Sequence, residues 1–96
     1  GVEHTLVEVS ASGVYALLVD EWERQADESV VIRVYGRTLS GGAERLVDEF
    51  PVGPTASGKP YWQDIPRFVG GGELRYTLQQ VLGTGRSYPW AVVQLS

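Results

Sequence analysis

Glycine clusters cut this chain into short pieces. Ser40-Gly41-Gly42-Ala43, Gly70-Gly71-Gly72 and Gly83-Thr84-Gly85-Arg86-Ser87 each sit between brief runs that alternate apolar and polar residues. Alternation with period two puts every second side chain on one face of a strand, and runs this short leave no room for long helices. Twelve glycines in 96 residues, against about 7% in ordinary chains, point the same way: the chain reverses often. A length of 96 residues predicts a single domain over 1–96 with one modest core.

The strand pattern can be followed along the chain. His4 to Ser10 is β-rich and ends at Ser12-Gly13, and Val14 to Val19 is an apolar run of buried-strand length. Val30, Ile32 and Val34 share a face, as do Leu46, Phe50 and Val52, so a hairpin through Ser40-Gly41-Gly42-Ala43 is predicted. Tyr61 to Val69 reads as extended, with Pro66 confining it to an edge. Leu74, Tyr76 and Leu78 lie opposite Glu73, Arg75, Thr77 and Gln79, and Trp90 to Leu95 closes the series. Only Asp20 to Glu28 admits a helix, of one or two turns, with Asp20 as N-cap and Glu23 as the capping-box acid. The alternative there is a solvated turn anchored by Trp22. About seven short antiparallel strands and at most one short helix predict an all-β sandwich, Ig-like or jelly-roll.

Charge and composition narrow the function. Twelve acids against eight bases give net −4, which is the wrong sign for a nucleic-acid face. No apolar run is long enough for a membrane-spanning helix, and no leader pattern opens the chain, so cytoplasmic synthesis is expected. The absence of cysteine removes disulfides, thiolate zinc sites and thiol catalysis.

Several motifs fail on inspection. Gly53-Pro54-Thr55-Ala56-Ser57-Gly58-Lys59-Pro60 fits the first seven positions of a phosphate-binding loop. Pro60, however, stands where a hydroxyl must reach Mg²⁺, and it turns Lys59 away from helical geometry. Gly83-Thr84-Gly85-Arg86-Ser87-Tyr88 lacks the third glycine of a dinucleotide fingerprint. Asp20, Glu21, Glu23, Asp27 and Glu28 lack the glycine and spacing of a calcium loop. His4 is the only histidine, and no nucleophile elbow surrounds any serine. No enzyme, metal or cofactor is expected.

The uneven placement of aromatics suggests a binding role. Tyr61-Trp62 and Tyr88-Pro89-Trp90 flank loops, where rings can stack on sugars or anchor a protein interface. Trp62, Arg86 and Tyr88 are the candidate partner contacts. For Trp62 core and surface both stay open, and Arg86 is either a turn brace or a partner contact. Trp90 is expected to turn inward beside Leu78 and Val92.

Three stretches stand out from Gly13 onward: Gly13-Val14-Tyr15-Ala16-Leu17-Leu18-Val19-Asp20, Ile32-Arg33-Val34-Tyr35 with Ser40-Gly41-Gly42, and a C-terminal pattern. That pattern comprises Leu74, Thr77-Leu78, Gln80, Gly83-Thr84-Gly85-Arg86, Tyr88 and Trp90. With them the chain resembles small head-associated virion proteins of tailed bacteriophages. The Asp27-Glu28 corner departs from that resemblance. The resemblance implies a virion component and does not by itself say which; the expected role is a structural protein that decorates the capsid. Its implied partners are the major capsid protein or other virion proteins, with self-association on the particle. Other virion parts, in head completion or the tail, and a carbohydrate-binding module built on Tyr61, Trp62, Tyr88 and Trp90 are the alternatives.

Overall fold

A computed structural model describes residues 1–54, 62–83 and 85–96. Eight strands form: β1 (Glu3–Val9), β2 (Gly13–Val19), β3 (Ser29–Arg37), β4 (Arg45–Val52), β5 (Trp62–Gln63), β6 (Arg67–Val69), β7 (Glu73–Leu82) and β8 (Trp90–Gln94). They build an antiparallel β-sandwich. One sheet has the order β1-β7-β3-β4; in the other, β2 is central, with β8 on one side and the short β5 and β6 sharing the other. The predicted sandwich is the fold observed, with eight strands in place of about seven.

The core lies between the inward faces of the two sheets. Leu17 and Val19 of β2 meet Val30, Ile32 and Val34 of β3 and Leu74, Tyr76 and Leu78 of β7, all buried. The predicted hairpin forms, with Val30 opposite Val52 and Ile32 opposite Phe50. Its register then slips: Val34 faces Asp48 but Tyr35 faces Leu46, leaving Val47 as the extra residue of a bulge. The slip overturns one expectation, since Leu46 is exposed and not on the face of Phe50 and Val52.

Asp48 continues the inward alternation of Val52 and Phe50 and reaches across the sandwich, where its carboxylate accepts a hydrogen bond from Arg67 Nη2 at 2.9 Å. Arg67 Nε donates to Asp64 Oδ2 at 2.7 Å, and Asp64 is buried. Burial works against the Arg67 charge, but the bonds to Asp64 and Asp48 more than offset it and hold its pKa above the ordinary value. This ion cluster joins β4 to β6.

Residues 20–28 take the turn alternative, without a helix. One expectation there needs correcting: the anchor is not Trp22, which is exposed. Glu21, Arg24 and Glu28 are buried instead. Arg24 Nη1 donates to the Glu28 carbonyl at 2.9 Å and Nη2 to Glu21 Oε1 at 3.2 Å. The base of the corner is thus a buried charge network, while Asp20, Glu23 and Asp27 stay exposed above it.

Candidate functional site

The residues expected to bind a partner cluster around the end of β7, the connection to β8, and β5. Arg86 leaves this connection to meet the 20–28 corner, where its Nε donates to Glu28 Oε1 at 2.7 Å. The hydrogen bond with Glu28 holds the Arg86 pKa above its ordinary value. Gly83 makes the approach possible. It has φ +88°, and a Cβ there would lie 2.3 Å from Glu28 Cγ.

Tyr88 is 7% exposed and belongs to the core. Its hydroxyl donates to Gln80 Oε1 at 3.3 Å, and burial raises its pKa. Trp62 is half-buried, its ring tilted 53° against Phe50 at 5.1 Å between centroids. Trp90, expected inside, is 41% exposed. It lies on the core-facing side of β8, but β8 is an edge strand and the rim leaves the ring open. Val19 pairs with Trp62 on one side and Trp90 on the other, so these rings form a row on the inward face of the sheet. With Tyr88 buried as well, they present no flat outer platform for sugar rings. Tyr61, the fourth member of that set, lies outside the described residues, as do Thr84 and residues 55–60 of the phosphate-loop motif.

Beside Trp90 the sandwich has an open seam. A groove of about 280 Å³ runs between β1 and β8, lined by His4, Leu6, Leu78, Arg86, Ser87 and Trp90 along with Tyr88. His4 and Ser87 line it together, but no carboxylate lines it to complete a relay. Among the described residues no three His, Asp or Glu side chains gather to hold a metal ion.

The free edge of β8 is the feature that alternation alone did not reveal. Asp20 N–H donates to the Pro89 carbonyl at 2.7 Å, and Leu95 N–H to the Val14 carbonyl at 2.7 Å. Between these ends Ala91 lies opposite Leu18, and Val93 opposite Ala16. In an antiparallel pair the residues that exchange backbone bonds alternate with those that do not. The N–H and C=O groups of Trp90, Val92 and Gln94 therefore point away from β2. No other described strand pairs with β8.

The other long edges are protected. β4 carries the Val47 bulge, Pro51 and three charged residues, while β1 carries a bulge at Leu6 together with Glu3, His4 and Glu8. Residues 87–96 contain no charge, no bulge interrupts the pairing of β8, and its only nearby proline precedes it. The outer face of the first sheet pairs its charges within itself. Arg33 pairs with Glu49 at 2.7 Å, Arg75 with Glu44 at 2.7 Å, and Tyr35 donates to Glu3 at 2.7 Å.

Comparison of the chain with protein-family models, with curated proteins and with solved structures finds no match.

Proposed function

We propose that this chain is a virion structural protein of a tailed bacteriophage, one that decorates the head by binding assembled major capsid protein. It belongs, on this reading, on the capsid of a particle assembled in the host cytoplasm. The observation that carries the proposal is the unprotected edge of β8, which offers three residues of outward N–H and C=O groups to an extended segment of the shell. Trp90, at the mouth of the adjoining seam, supplies an aromatic anchor beside that ladder.

Part of the phage-like pattern adjoins this edge, since Leu78, Arg86, Tyr88 and Trp90 line the seam beside β8. Leu74, Thr77 and Leu78 are buried, Gly83 admits Glu28, and Arg86 ties the β7–β8 connection to the corner. A protein that binds the assembled shell and not its free parts stabilises the shell by mass action.

The test is to quantify the chain in purified virions against the major capsid protein, and to repeat this with Gln94→Pro. The Gln94 N–H faces outward, so proline removes a ladder donor without breaking a bond to β2. Wild type is expected at a fixed ratio to the shell, with the variant folded but absent from particles. Recovery in tails or connectors would move the protein to another virion part, and recovery in no particle fraction would end the proposal.

A further inference from the structure

We infer that the chain associates head to tail with copies of itself, the Trp22 corner of one molecule docking in an arginine-rimmed groove at the opposite end of the next. This contact is separate from the β8 edge and does not depend on the virion reading.

The groove has a volume of about 680 Å³, within the range of sites that hold a bulky side chain and its neighbours. Leu39, Val47, Phe68 and Leu74 line it, and Phe68 is 77% exposed, a large apolar surface to leave in water. Two glycine turns build it. Ser40 N–H donates to the Gly71 carbonyl at 3.0 Å, fastening the hairpin tip to the 70–72 turn. A Cβ at Gly70 would come within 2.4 Å of Phe68 Cε1, so the ring folds back over a residue without a side chain.

Charge selects the occupant. Of the seven arginines, six are ion-paired, with Glu21, Glu3 and Glu49, Glu73, Asp48 and Asp64, Glu44, or Glu28. Arg45 is the seventh: it lines this groove, is exposed, and forms no ion pair with any described residue. The groove therefore suits an aromatic or aliphatic anchor flanked by carboxylates.

The chain carries such a knob. Trp22 is 63% exposed, and Asp20, Glu23 and Asp27 around it are exposed and in no ion pair among the described residues. Asp20 Oδ1 accepts the Trp22 N–H at 3.0 Å, and the buried Glu21, Arg24 and Glu28 fix the base of the corner. β3 begins beside the knob at Ser29 and ends at the groove with Arg37, a span of about 25–30 Å at the rise of a strand. Knob and groove thus lie at opposite ends of a molecule 39 Å long. One molecule cannot satisfy both itself, and the contact is heterologous, giving rings or open chains. One indole in one groove falls short of the roughly 1,000 Å² of a stable interface, so the association depends on concentration.

Sedimentation velocity of the full chain from micromolar to millimolar concentration tests this. The wild type is expected to shift from monomer to dimers and larger species. Trp22→Ser and Phe68→Ser should each stay monomeric with melting temperatures unchanged. Mixed in equal amounts they should form dimers and nothing larger, because the first variant keeps its groove and the second its knob. Arg45→Glu, an exposed change that spares both apolar surfaces, should weaken association at least tenfold. Concentration-independent sedimentation of the wild type would overturn the inference. So would association of Trp22→Ser at wild-type strength, or a mixture that stays monomeric.

Discussion

Arg86 and Glu28 stand 58 residues apart in sequence, yet Arg86 Nε donates to Glu28 Oε1 at 2.7 Å, and that oxygen also accepts the Gln25 N–H at 2.9 Å. One buried carboxylate oxygen thus holds both the 20–28 corner and the connection into β8. Glu28→Ala should lower the melting temperature, since it removes the buried carboxylate on which Arg86 and the Gln25 N–H converge. Arg86→Ala should lower the melting temperature by less, because Gln25 still satisfies Glu28. Thermal denaturation of both variants checks the order, and equal losses would contradict it.

Tyr88 and Trp90 differ in burial in the opposite sense to the sequence expectation, and substitution should show it. Tyr88→Ala removes a core ring and its bond to Gln80, for an expected loss of about 3–5 kcal/mol. Trp90→Ala removes a ring that is already 41% exposed and should cost less than half of that. Urea unfolding of the two variants gives both values directly.

Acid should loosen the first sheet from its outer face. Burial works to raise the Glu3 pKa, but hydrogen bonds from Thr77 and Tyr35 and the Arg33 charge outweigh it, leaving the group below its ordinary 4.5. Glu44, bonded to Arg75, is lowered too. Groups depressed in the fold contribute stability that is present above pH 4.5 and is lost as pH falls through their folded pKa values. Denaturation midpoints against pH should drop in that window, and Glu3→Gln should flatten the drop.

Alkali should act through the core. Burial, helped by the Asp64 charge, pushes the Tyr76 phenol up to about 12 from 10.0. The unfolded chain ionises first, so stability is complete below pH 10 and lost as pH rises toward 12. Tyr76→Phe should remove part of that loss. Phenolate absorbance of the folded wild type should show one tyrosine titrating well after exposed ones.

A methyl group at Gly72 should disrupt the paired turns. A Cβ there would sit 1.7 Å from the Arg37 carbonyl oxygen, and backbone cannot yield that far without moving β3 from β7. Gly72→Ala is expected to cost about 1–3 kcal/mol or more. Chemical denaturation measures it, and an unchanged midpoint would show that the turns separate freely.

Local pattern foretold what local forces decide. Leu74, Tyr76 and Leu78 alternate inward as read, and Ser40-Gly41-Gly42 closes the hairpin because its strands adjoin in sequence. The Val47 bulge was hidden, since an extra residue in an alternating run looks like alternation resumed on the other face. Trp90 misled for another reason. Its face was read correctly, but exposure depends on β8 being an edge strand, which only distant pairing decides. Arg45 stands out only against the pairing of the other six arginines, most of which reach acids far along the chain. Ring chemistry marks Trp62 and Tyr88 as partner contacts, but the core uses that same chemistry.

The order of strands in the two sheets also bears on how fast this molecule is made. Only β3 and β4 follow one another in sequence and also pair; β1, β2, β7 and β8 each find their neighbours across long intervening stretches. Closing such loops costs entropy before any contact rewards it, so all-β domains of this kind fold in milliseconds to seconds. β7 must arrive from downstream to sit between β3 and β1, and until it does the far edge of β3 has no partner strand. β7 follows β3 only after β4, β5 and β6, so a growing chain leaves that edge of β3 as an unpaired template until β7 has been made.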